Sequence, residues 1–349
     1  MLGCDIILAA IIAASPADDA PPVCAANDWS LAVARTQATA DNYLLALEEG
    51  RDRFRTVFGQ DTPRSAIVQG NAAFASASAS LTELGYSSAL PWIDHQEQNE
   101  MMAEQIRNQI VSAGADPDSP SVAAQIDQIL SGRASEAPTP EMERGILSHE
   151  FGHIWFLLEI WQDDATNSQG GGASSSSHYG GSAADWLDEM VAVALENEEL
   201  TDSRWQRLRQ DNENDDGLAL SQFFTMQHPS AAIARQVASA RVGEMPPPGV
   251  AGAEGTQAVT RAVVLTGADA RRVIANSESN PLTYYAMARG MLDYLQERGG
   301  DGILPAISTA LRNGSSLEDW LASDGTRFNL PGDMPALEAD WNDWIANKI

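Results

Sequence analysis

The apolar positions of this chain fall mostly at helical spacing. Residues 27 to 58 set Leu44, Leu45, Leu47, Phe54 and Val57 among charged groups, which predicts an amphipathic helix. Apolar runs at Ser65–Gln69 and Ser88–Ile93 are the best strand candidates. Between them Phe74 to Leu84 alternates alanine with serine and reads as either, since neither residue favours a strand. Helices follow at Glu97–Val111 and Val122–Leu130, separated by a turn through Ser112, Gly114, Pro117 and Pro120. Pro138-Thr139-Pro140 then opens a different kind of helix. From Ile146 to Trp161 apolar residues occupy nearly every face, the pattern of a buried helix. An acidic pair in an apolar frame comes next, at Asp185 to Glu196. Phe223 to Met226 reads as core, and Pro246 to Gly255 as a connection to helices near Pro281–Arg298, Ile303–Leu311, Leu317–Leu321 and Pro335–Ala346. The fold class is therefore α+β and mostly helical, with a small N-terminal sheet, a main domain over 27–245 and a helical C-terminal subdomain over 256–349.

The buried helix carries groups that packing alone does not call for. Ser148-His149-Glu150-Phe151-Gly152-His153 contains H-E-x-x-H. On a helix His149 and His153 lie one turn apart and point the same way, so both imidazoles reach one ion, with Glu150 beside them within reach of water. Two imidazoles and a carboxylate among aliphatic groups are costly to desolvate unless they share a partner, and a divalent cation is one. Structural zinc sites close with four protein ligands and are rich in cysteine, whereas catalytic sites use three and keep a place for water. The only cysteines, Cys4 and Cys24, stand near the start. A thiolate-rich structural site is thereby excluded, and catalytic zinc is favoured.

A third ligand is then required. In the metzincin pattern it follows six residues after the second histidine, beyond a glycine turn. Phe156 and Glu159 occupy those places here, so the helix is expected to run straight on. A carboxylate on a following helix is the other route, and Glu189 is the expected ligand. His-Glu-Phe-Gly-His combined with Trp186-Leu187, Glu189, Ala192 and Glu196, with Glu189 standing 36 residues after His153, resembles the gluzincin metallopeptidases, specifically small bacterial proteins with a peptidase MA-like domain. The resemblance extends over most of residues 27 to 349, through Phe54 to Phe58, Ala66-Ile67-Val68, Tyr284-Tyr285 to Leu295 and Leu337 to Trp344, but only the two metal-binding segments are specific.

That resemblance implies a zincin-like fold, His149, His153 and Glu189 as zinc ligands, and Glu150 as general base. By analogy, Leu90 to Ile93 is the edge strand that pairs with extended substrate. Two positions depart from the pattern. Met190 stands where the family commonly has glycine, and Val193 where the thermolysin-like version has an aspartate that orients a histidine. Support for the imidazoles must come from elsewhere. A second electrophile for the tetrahedral oxyanion is expected from Tyr284, Tyr285, His178 or His228.

Charge narrows the partners. With 21 Lys and Arg against 49 Asp and Glu, the formal charge is −28, which disfavours nucleic acid and anionic membrane surfaces. The acidity itself reads as solubility rather than as the mark of a cationic substrate; a peptide or protein substrate is what the resemblance implies. Ile6 to Ala14 is an apolar run of signal-peptide length followed by small and polar residues, although no Lys or Arg precedes it. It predicts a signal peptide within 1–26, cleaved somewhere before Asn27, and an exported bacterial protein, periplasmic or extracellular, with no transmembrane segment. At most Cys24 would survive cleavage, so no intrachain disulfide is expected in the mature chain.

The glycine- and serine-rich tract from Asn167 to Gly181 reads as a tether between the metal helices, and Asp211 to Asp216 as a solvated acidic loop. The functional expectation is a zinc peptidase in which Glu150 takes the proton of metal-activated water. Its alternatives are a non-catalytic exported zinc-binding or assembly protein on a zincin fold, and a hydrolase of non-peptide amides.

Overall fold

The computed structural model describes residues 2–14, 21–112, 116, 119–134, 137–162, 181–214, 216–229 and 280–349. The chain is mostly helical with one small mixed sheet. It divides into two compact units, Met1–Glu48 with Pro63–Leu147, and Glu49–Thr62 with Ser148–Ile349. The tract at 246–255 lies outside the described residues, as does the one at 163–180.

The first unit is built on a sheet of order β1-β2-β3-β4, formed by β1 (Val23–Ala26), β2 (Ser30–Ala34), β3 (Ser65–Gln69) and β4 (Ser88–Trp92). β1 and β2 pair antiparallel, and the turn between them is tied by Asn27, whose Oδ1 accepts from the Trp29 and Ser30 amides at 2.8 and 2.7 Å. β2, β3 and β4 run parallel, with Val33 opposite Val68 and Ile67 opposite Leu90. Parallel neighbours need a crossover, supplied by α2 (Gln37–Phe58) and α3 (Asn71–Glu83).

The region read as one helix from residue 27 thus begins as a strand. Ser30-Leu31-Ala32-Val33-Ala34 is buried at every position, which removes the alternation by which a half-exposed strand is recognised, and its alanines add little strand preference. The ambiguous Phe74–Leu84 stretch is helical, with Phe74, Ala77 and Leu81 buried.

α1 (Leu2–Ala14) belongs to the same core. Ile7 and Ile11 are buried in one cluster with Leu31, Val33, Ala66, Val68, Phe74 and Tyr86. Cys4 of α1 and Cys24 of β1 form a disulfide in the full chain; the expectation of no intrachain bond concerned the chain after cleavage, from which Cys4 is absent. α4 (His95–Ser112) and α5 (Pro120–Ala134) extend the two helices read there. Among the described residues no helix is long and apolar enough to cross a membrane.

α6 (Pro140–Trp155) passes from the first unit to the second between Leu147 and Ser148. It continues as a π-helical turn, Phe156–Trp161, that ends at Gln162 in the left-handed region (φ 56°). Helical structure therefore continues past His153 as far as Trp161, as expected, but it changes from α to π geometry at Phe156.

The second unit then adds α7 (Asp185–Ala194), α8 (Glu198–Glu213), α9 (Leu220–Thr225), α10 (Pro281–Gly299), α11 (Ile303–Arg312), α12 (Leu317–Asp324) and α13 (Met334–Ala346). Starts are set by side chains that accept from orphan amides: Asn197 before α8, Asn280 with Pro281 before α10, and Asp333 before α13. α10 is the central helix, buried at Tyr284, Met287, Met291 and Tyr294. A Cβ on its Gly290 would lie 2.6 Å from Leu208 and 3.1 Å from Trp341, so α8 and α13 both press on it there. Two guanidinium groups take carbonyls at the end of α7, Arg289 that of Val193 at 3.1 Å and Arg53 that of Leu195 at 3.2 Å. Part of the acidic block is internal, since Asp211 is 2% exposed and pairs with Arg207 at 2.7 Å.

Candidate metal centre

α6 and α7 carry the centre, and both belong to the second unit where it lies. One ligand atom from each of His149, His153 and Glu189 lies within 4.8 Å of the others. Glu189 Oε1 is 3.5 Å from His149 Nε2, and Oε2 is 3.7 Å from His153 Nε2. The Glu189 side chain is fully buried and its Oε1 has no hydrogen-bond partner among the described residues. A buried carboxylate oxygen left without a donor is costly. Two nitrogens and one oxygen converging on a common point fit a divalent ion, so this buried His-His-Glu group could bind a metal.

Both imidazoles are held from behind. His149 Nδ1 lies 2.9 Å from Glu196 Oε1, and His153 Nδ1 lies 3.0 Å from Asp188 Oδ2. A proton on each Nδ1 satisfies these carboxylates and leaves the Nε2 lone pairs turned toward Glu189, the tautomer that metal ligation needs. Asp188 and Glu196 thus supply the support that Val193, in the place of the thermolysin-like aspartate, does not. Asp188 was legible as half of the acidic pair. Glu196 stands seven residues after Glu189, just past the end of α7 at Ala194.

His228 completes the surroundings of Glu189. Its Nε2 lies 3.1 Å from Glu189 Oε2, while its backbone amide donates to Asp185 Oδ2 at 2.7 Å. Its ring is buried and packs edge-on to Tyr284, with ring centroids 5.2 Å apart, and at 5.6 Å from Tyr285. Three of the four groups named as oxyanion candidates are thus gathered here, and His178 lies outside the described residues. Tyr284 is buried with its hydroxyl unpartnered among the described residues; burial, then the Glu189 and Asp185 charges, push its pKa up. Tyr285 is half-buried, 6.0 Å from His149 between ring centroids. Glu150 is half-buried on the same turn of α6, close enough for its charge to act on His153.

The electrostatics of the pocket favour positive charge. Burial would lower the His153 pKa, but the Asp188 charge and hydrogen bond, followed by the Glu189 and Glu150 charges, outweigh it and push it up to about 10. Burial would raise that of Glu189, yet His149, His153 and His228 hold it down at about 2. With protein groups alone, then, carboxylates in this pocket retain a cation by keeping a proton on an imidazole. A divalent ion supplies the same compensation with both imidazoles neutral.

No protein-family model, curated protein or solved structure matches this chain.

Proposed function

We propose that this chain is a zinc-dependent peptidase of gluzincin type, with His149, His153 and Glu189 as ligands and Glu150 as general base. The observation that carries the reading is the convergence of two Nε2 atoms and the Glu189 carboxylate, backed by Glu196 and Asp188, with Glu150 on the same turn. Three protein donors without a thiolate suit a catalytic ion. Zinc bound there supplies a Lewis acid that makes water nucleophilic near neutral pH and polarises a carbonyl. Glu150, half-buried, accepts the proton from water and returns it to the departing amine. The Nδ1 partners keep both imidazoles from turning as charge develops.

A zincin-like arrangement of the second unit and an exported location form part of this proposal. The substrate class is a peptide or protein chain.

The test is Glu150→Gln against the parent on a mixed peptide pool, with and without chelator. Zinc retained and cleavage lost supports the proposal. Zinc bound by the parent with no peptide cleaved would leave the non-catalytic zinc-binding protein standing instead, and cleavage of a non-peptide amide alone would move the reaction class.

A further inference from the structure

We propose that Arg204 is a positioning residue for the metal centre: it fixes the oxygen of Glu196 that receives His149, and so sets the direction of the His149 Nε2 lone pair. This rests on the metal-ligand reading above.

Three donors meet on a single oxygen. Glu196 Oε1 receives His149 Nδ1 at 2.9 Å, Arg204 Nη2 at 2.9 Å and Arg204 Nε at 3.1 Å, while Oε2 has the Arg204 Nε at 3.4 Å. The Glu196 side chain is fully buried. A carboxylate in that position needs donors on its oxygens, because no water reaches them. Arg204 supplies two of them and, because its N–H groups form a rigid fork, it fixes where the oxygen sits.

The guanidinium is itself clamped. Its carbon lies 4.8 Å from the ring centroid of Tyr285, on α10, a cation–π arrangement. That ring is the one next to His149 and His228. Arg204 stands on α8, eight residues beyond Glu196 at the α7–α8 junction. The two ligand histidines are therefore held by different means. His153 depends on Asp188, the immediate neighbour of Glu189 on α7, whereas His149 depends on a relay through α8 and α10. The asymmetry makes His149 the ligand that responds to Arg204.

The experiment uses the full chain with Arg204→Lys and Arg204→Met, read by Zn2+ competition against a chromophoric chelator and by the visible absorption of the Co2+ form. Arg204→Met is expected to raise the Zn2+ dissociation constant roughly 10- to 100-fold. Arg204→Lys, which keeps the charge but not the fork, is expected to restore part of the affinity with a Co2+ spectrum still shifted from the parent. A purely structural arginine would change metal-free melting and leave the spectrum of the bound ion alone. Should Arg204→Met fail to fold, the Co2+ spectrum of Arg204→Lys decides. A spectrum and affinity equal to the parent's overturn the proposal. A parent that binds Zn2+ but cleaves nothing sinks the peptidase reading and leaves the Arg204 role to the two variants; a parent that binds neither ion overturns both.

Discussion

Gly152 of α6 and Ala192 of α7 meet so closely that a Cβ added to Gly152 would lie 2.7 Å from the Ala192 Cα and 3.4 Å from its Cβ. The contact falls beside His153 on one helix and three residues after Glu189 on the other. Only where two helix backbones approach this far can short histidine and glutamate side chains reach one ion from both. Gly152→Ala is expected to push the helices apart, costing about 1 to 3 kcal/mol as overpacking does, with weaker Zn2+ retention as the more telling loss. Chelator competition and thermal melting check it together. Unchanged metal affinity would mean that the contact does not set the ligand geometry.

The local half of this site was legible and the distant half was not. His149, Glu150 and His153 lie within five residues, so helical spacing alone puts them on one turn. Glu189 stood out because an acid in the frame Trp186-Leu187-Asp188-Glu189-Met190-Val191 needs a reason to be buried. Arg204 carries no such mark, and the contact of His228 with Glu189 is brought about only by the tertiary fold. In the first unit the strand at Ser65–Gln69 was read with its observed bounds. β2 was lost inside a longer helix because its buried alanines show neither alternation nor strand preference.

Glu143, in the first unit, accepts from Trp92 Nε1 at 2.9 Å. Burial raises its pKa, opposed by the Trp92 hydrogen bond and reinforced by the Asp94 charge, so the folded value lies above the ordinary 4.5. A folded pKa above the unfolded one gives stability that is complete below the unfolded value and is lost as pH rises through the folded value. Glu143→Gln keeps an acceptor for Trp92 and removes the titration. Its stability relative to the parent is expected to improve as pH rises from about 4 to about 7, the range spanning and exceeding carboxylate titration. Urea melts of both chains across that range measure the difference, and a difference independent of pH would contradict it.

A chain beginning at Asn27 lacks α1, β1 and both cysteines. It would uncover Leu31 and Val33, which share a core with Ile7 and Ile11. Losing a native disulfide alone typically costs roughly 2 to 5 kcal/mol. The truncated chain is expected to melt lower, and the parent to lose stability in reductant. If truncation leaves melting unchanged and the exported chain is found to start near Asn27, α1 is a removable leader rather than part of the core.

The most direct measurement is elemental analysis of the purified full chain, alone and with His149→Ala, His153→Ala and Glu189→Ala. About one zinc per chain is expected for the parent, the stoichiometry of a site with three protein donors, and each substitution is expected to abolish it at the same free zinc concentration. A parent that takes up no zinc, or a Glu189→Ala chain that holds zinc as the parent does, would contradict the centre built from α6 and α7.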